Sequence, residues 1–392
     1  MVGMTSWVRA GSTHGSTPTL FVAHGRVLMD DPGEGADHAR ISDTLNGTRG
    51  TRPCPACLWY PEPEHKFFWR LAVSENDSFW DVYWETRLQP MENLGKRSAI
   101  LAASRLIRQL APQADRPLRI LEFGCGEGQV IGALLDAHAR ECSRSASIGI
   151  DYSQPSLNRC RHDYPGLHCI HGDFTDGAML EGLRASPGSF DLVLLVNALH
   201  EVFSDCYSSE QNEIDVTAGK QKVEQALAGA AGCLEPGGWL VLFDGLEPSG
   251  DPEQAVRIRL RDHNIRREFD TFVEEYQPFQ IEFNELESPL CLKLSRRDLT
   301  RYLTKSIFLG KELWQTERLQ SYQYYTREEF QTACTRVGLE ITELRTLTMN
   351  EEKWRYRVEI ETPGAVFPDE HILILARPAD AFSDVDTTPR DL

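Results

Sequence analysis

The chain has 392 residues, long enough for two domains or for one large decorated one. Hydrophobic residues at 41% supply a full-sized core, while a formal net charge of −18 repels phosphate backbones and disfavours sequence-independent nucleic-acid binding. Residues 1–19 hold no apolar leader core and the run 192–196 is far too short for a membrane span, so a cytoplasmic protein with no membrane contact is expected.

Residues 1–50 are rich in Gly, Ser, Thr and Asp and read as irregular chain. Residues 54–95 are dense in aromatics, with Trp59, Trp69, Trp80 and Trp84 among them. Trp80, Tyr83 and Trp84 stand at i, i+3 and i+4 and so share one face of a helix. Residues 96–111 have helical apolar spacing. From Leu118 short apolar runs alternate with helical segments: LRILEFG, a helix at 128–140, SIGIDYS, a helix at 154–163, LHCIHGDF, a helix near 177–185 and FDLVLLVNAL. A helix near 219–233 and the run WLVLFDG follow. Alternating helices and almost fully apolar strands predict a parallel sheet covered on both faces. Residues 248–326 break this rhythm; they are polar with scattered aromatics. The densest basic stretch, Arg257 to Arg267 with five arginines, lies here and is interrupted by Asp262. A helix at 327–337 then leads to the strands ITELRTLTM and HILILA, and an acidic tail ends the sequence.

The chemistry concentrates at strand ends. Glu122 and the alternating Gly124, Gly126 and Gly128 allow a tight turn and close approach of a ligand. A pyrophosphate-binding turn wants G-x-G-x-x-G, but the sixth position from Gly124 is Gln129, which argues against a nicotinamide oxidoreductase. A carboxylate at Glu122 suits a ligand with an ammonium and a sulfonium instead. Asp151 ends the second run, where a carboxylate can accept ribose hydroxyls, and Ser153 before Gln154-Pro155 is a helix cap. Asp173 and Phe174 end the third run, suited to an adenine amino group and ring. Asn197, His200 and Glu201 follow the fourth; His200 is a candidate general base and Glu201 a candidate for orienting it. Cys54 and Cys57 have zinc-knuckle spacing with His65 after them, yet no second ligand pair appears, so no metal site is expected. The ten cysteines are scattered and read as reduced thiols.

The ordered set LEFGCGEG, GIDYS, GDF, FDLVLLVNAL and LEPGGWLVLFD resembles the class I S-adenosylmethionine (SAM) dependent methyltransferases over about residues 96–247 plus the last helix and two strands. The resemblance implies an α/β, Rossmann-like, seven-stranded and mostly parallel sheet with an antiparallel last strand. It implies SAM as cofactor, with Glu122, Gly124, Gly126, Gly128, Asp151, Tyr152, Asp173, Phe174 and Asn197 binding it, and Tyr83 and Trp84 on a covering helix. The expected division is an N-terminal extension 1–53, an aromatic helical cap 54–111, a SAM-binding core 112–247, a substrate lid insertion 248–326, a completion of the core 327–378 and a disordered tail 379–392. Trp314, Tyr322, Tyr324 and Tyr325 of the insertion are expected to shape the acceptor pocket. The strand-end sequence after Val196 lacks the Asn/Asp-Pro-Pro-aromatic clamp for exocyclic nitrogens and a Pro-Cys nucleophile for cytosine carbon. The acceptor expected is therefore an oxygen of a small, specialised metabolite. A protein or peptide acceptor, carboxylates included, and a non-catalytic SAM-binding protein are the alternatives.

Overall fold

The computed structural model describes residues 94–185, 189–208, 210–211, 213–311, 313–349 and 351–379, all within the unit His65–Leu392. The extension 1–53, Cys54, Cys57, Tyr83, Trp84 and the tail from residue 380 lie outside the described residues.

In chain order the strands are β1 (Ile120–Phe123), β2 (Ile148–Asp151), β3 (His168–His171), β4 (Phe190–Val196), β5 (Tyr207–Ser208), β6 (Glu213–Ile214), β7 (Leu234–Gly245), β8 (Ala255–Leu260), β9 (Phe283–Glu285), β10 (Cys291–Ser295), β11 (Leu339–Leu347), β12 (Val358–Ile360) and β13 (His371–Pro378). Seven of them form one sheet in the order β11-β13-β7-β4-β1-β2-β3. Contacts from β7 to β3 are parallel, and β13 runs antiparallel to both of its neighbours. This is the seven-stranded Rossmann-like sheet that the family resemblance implied, and its parallel part is what the strand–helix alternation predicted.

Apolar residues of both parities make the strands two-faced. In β4, Val193 and Leu195 enter one core with Leu180 and Leu183 of the helix Gly177–Ala185 and with Val223 and Leu227 of Val216–Ala231. Leu192, Leu194 and Val196 enter the opposite core with Ile100, Leu106 and Ile107 of Leu94–Leu110 and with Leu134 of Gln129–Ala137. Each such side chain contributes about 1.5–3 kcal/mol by leaving water. The caps are local and legible. Ser153 Oγ accepts from the Ser156 N–H and starts Gln154–Asp163 with Pro155 in its first turn. Thr326 and Glu329 form a reciprocal capping box at Arg327–Arg336.

The insertion is more ordered than its polar composition suggested. β8, β9, β10 and β12 build an antiparallel sheet in the order β12-β8-β10-β9, packed on the helices His263–Glu275 and Arg296–Lys305 with a core of its own. Alternation in β8 explains why: Val256, Ile258 and Leu260 are buried while Arg257 and Arg259 face outwards. β12 comes from the connection between β11 and β13, beyond the expected end of the insertion. Much of the basic stretch is charge-paired here. Arg257 pairs with Glu361 and Glu287, Arg259 with Glu361, and Arg261 with Glu359. No helix among the described residues is long and apolar enough to cross a membrane.

Candidate functional site

The C-terminal ends of the parallel strands converge where the strand order reverses between β1 and β4, the usual place for a ligand in an open α/β sheet. The turn after β1 is built for close approach. Gly124, Gly126 and Gly128 have φ of 69°, 52° and 77°, a region that side-chain-bearing residues enter only with strain. A Cβ on Gly128 would lie 2.3 Å from Cys160 Sγ, whereas one on Gly126 would meet nothing within 4 Å. The turn is thus packed beneath and open above.

Two acids hold the turn. Glu122 is 2% exposed, and its Oε2 accepts the Ile131 N–H at 3.0 Å. Burial pushes its carboxyl up to about 8, against the pull of that hydrogen bond and of Lys96. Asp151 Oδ2 accepts the Gly126 N–H at 2.7 Å and Oδ1 the Ser153 N–H at 2.7 Å. Each of these oxygens keeps a further lone pair for a hydroxyl. Tyr152 beside it is 65% exposed, and its phenol is raised to about 12, chiefly by the charge of Glu201.

After β3, Asp173 Oδ1 takes the Thr175 N–H and hydroxyl at 2.8 and 2.7 Å, and Oδ2 has no partner among the described residues. Phe174 is buried 5.2 Å from Phe123. After β4, Asn197 has φ 54°, the one non-glycine residue with positive φ among those described. Its buried Oδ1 has no partner, which marks a place for a ligand's donor. Open space over Gly126, an orphaned amide oxygen and lone pairs on Asp151 fit a nucleoside carrying an ammonium. SAM has those groups.

Asp244, near the end of β7, organises the segment that follows β4. Its Oδ2 accepts from the N–H groups of Ala198, Leu199 and His200 at 3.0, 2.7 and 3.4 Å and so caps the helix Leu199–Ser204. Its Oδ1 accepts the Gly245 N–H at 2.7 Å and His200 Nδ1 at 2.9 Å. A carboxylate has no proton to give, so Nδ1 is the donor and Nε2 carries the lone pair. Nε2 has no hydrogen-bond partner among the described residues. Asp244, not Glu201, therefore orients the imidazole; Glu201 makes no hydrogen bond to it. The sequence quoted Asp244 inside a motif without a role, and an acid at a strand end beside three others was the signal available.

The insertion closes over this dyad. A Cβ on Gly245 would stand 2.1 Å from the Tyr322 carbonyl oxygen, so only glycine admits the strap 320–325 there. The Ser321 N–H donates to Ser204 Oγ at 3.0 Å. The Tyr322 ring lies 4.0 Å edge-on to His200, and the fully buried Lys305 ammonium sits 4.0 Å over the same ring. Of the expected pocket aromatics only Tyr322 reaches His200. Tyr324 and Tyr325 pack with Phe330 in the core, and Trp314 packs with Phe272 in the insertion. Lys305 gave no sequence signal, since its neighbours come from other elements.

Residues 121–242 match the family model described as a methyltransferase domain. No curated protein sequence matches the chain. Among solved structures the chain is similar to a TehB-like SAM-dependent methyltransferase from Corynebacterium glutamicum, at 15% identity over 81% of this chain and 100% of that one, with a TM-score of 0.34. It is similar to a SAM-dependent methyltransferase from Clostridium acetobutylicum at 11% identity, 77% and 98% coverage and a TM-score of 0.36. The CcbJ methyltransferase from Streptomyces caelestis shows 16% identity, 74% and 91% coverage and a TM-score of 0.37. At these scores the likenesses carry no argument about chemistry. The family match places a methyltransferase domain at residues 121–242, and the strand order and the glycine turn are consistent with a class I SAM-dependent methyltransferase, with SAM as the cofactor of that domain.

Proposed function

We propose that the enzyme methylates a hydroxyl oxygen of a small metabolite, with His200 as general base. The observation that carries this is the bond of 2.9 Å from His200 Nδ1 to Asp244, which leaves Nε2 as an acceptor at the end of β4. When bound, SAM supplies an electrophilic methyl on a sulfonium. The turn 124–128 and Asn197 hold its methionine part, Asp151 and Tyr152 its ribose, and Asp173 and Phe174 its adenine. Glu122 acts through the turn, by fixing the Ile131 amide. His200 takes the acceptor's proton at Nε2, and Asp244 stabilises the imidazolium that results. Tyr322 and the insertion exclude water from the acceptor.

Isotope-labelled SAM with a cell extract, separated into small molecules and protein, tests the reading. Label is expected in the small-molecule fraction; label in protein alone would overturn it and favour a protein acceptor. His200→Ala should lower kcat by about 10²–10⁴-fold, with S-adenosylhomocysteine binding retained in calorimetry. Unchanged turnover would remove His200 from the chemistry.

A further inference from the structure

The charges around His200 do not balance among the described residues. Asp244 is consumed by backbone N–H groups and by His200. Glu317 is consumed by Lys305 Nζ at 2.5 Å. Asp151 is engaged by two backbone N–H groups. Glu201 is the exception. It occupies the first turn of Leu199–Ser204, next to His200, and is partly buried, and its carboxylate makes no hydrogen bond or ion pair to a described residue. Loss of solvent disfavours its charge, and Asp151, Asp244 and Glu317 are near enough to disfavour it further, with His200 opposing them. The Lys305 ammonium feels its charge, but Lys305 already serves Glu317. Two further polar atoms at this end of the sheet, Asn197 Oδ1 and His371 Nδ1, are buried and unpartnered. His371 lies within electrostatic range of Asp244, His200 and Lys305.

A half-desolvated carboxylate with no partner is costly unless a ligand completes it. Four carboxylates around one ammonium repel an anionic acceptor and attract a cation. The cofactor's sulfonium offsets only one of those charges.

We propose that Glu201 binds a protonated amine of the acceptor, so that the substrate class is a hydroxylated amine rather than an acid or a neutral alcohol. The inference rests on the reading of His200 as base for a hydroxyl. The ammonium is held by Glu201 while the neighbouring hydroxyl gives its proton to His200. Glu201 is a specificity residue here, adjacent in sequence to His200 but turned about 100° from it around the helix.

The experiment uses the full chain, labelled SAM and a small-molecule extract split at about pH 6 on a cation exchanger. Acceptor activity is expected in the retained fraction. With that fraction, Glu201→Gln should raise KM at least about 10-fold, the scale of one lost charged hydrogen bond, while S-adenosylhomocysteine affinity stays within about twofold. Glu201→Asp, which keeps the charge, should recover part of the loss and shows that the site still folds. Activity confined to the flow-through, or an unchanged KM in Glu201→Gln, overturns the amine assignment and leaves hydroxyl methylation standing. No label in any small-molecule fraction overturns both.

Discussion

Glu122 and His371 are two groups whose uncharged forms the fold prefers, and they tilt stability in opposite directions as pH changes. Glu122 rises from 4.5 to about 8 because burial beneath the glycine turn disfavours its charge. Between those values the native chain keeps a proton that the unfolded chain has lost, so stability falls as pH rises through the window. Glu122→Gln should abolish that slope. Urea midpoints from about pH 5 to 8 should show the wild type losing on the order of a few kcal/mol relative to the variant. Parallel curves would place Glu122 in water. His371 falls from 6.5 to about 4 through burial, with Asp244 opposing and His200 and Lys305 adding. Its ring stacks on Phe243 at 5.2 Å. Here the unfolded chain protonates first, so stability present above 6.5 is lost as pH falls towards 4. His371→Gln should remove roughly 1–3 kcal/mol of that acid sensitivity, read from the same midpoints.

The turn after β1 separates two duties that its glycines share. Gly128 at φ 77° is packed on Cys160 and Tyr164, and Gly126 at φ 52° faces open space. Gly128→Ala should therefore cost about 2–4 kcal/mol, from backbone strain plus a displaced helix Gln154–Asp163, and Cys160→Ala should restore part of it. Gly126→Ala should cost only about 1–2 kcal/mol of strain in denaturation yet weaken S-adenosylhomocysteine binding more than Gly128→Ala does per unit of lost stability. Equal effects on folding and binding would place both glycines in the core. This turn was legible in the sequence because spacing, a preceding strand and a following helix all lie within a dozen residues. So were β1 to β4 and β7, whose apolar runs carry their own period. β8 shows the same alternation, but its outward arginines lower its mean hydropathy and hide it. β12 was not legible, since a three-residue strand exists only through pairing with β8 some 100 positions earlier. The His200–Asp244 bond spans 44 residues, and adjacency in sequence pointed to Glu201 instead.

At the scale of the molecule, two cores flank the large sheet and a third fills the insertion. Phe279 packs against both the third core and one of the sheet's cores, and a polar chain also joins the third core to His200. Lys305, at the end of Arg296–Lys305, is fully buried and reaches Glu317 of the short helix Trp314–Glu317. Trp314 on that helix donates its indole N–H to Glu275. Tyr322 then carries the contact from Lys305 to His200. Burial lowers the lysine's affinity for its proton and Glu317 raises it again, so removing either partner leaves the other stranded. Glu317→Gln should lose about 3–5 kcal/mol in urea denaturation, whereas the paired change Lys305→Met with Glu317→Leu should lose far less, because apolar groups of similar volume need no partner. A double-mutant cycle separates the terms. If the pair serves stability alone, the paired variant keeps wild-type turnover. If it also seats Tyr322 over His200, the paired variant folds normally but loses kcat with S-adenosylhomocysteine affinity unchanged, and the second result is the one expected from Lys305 lying 4.0 Å over a ring that itself touches His200.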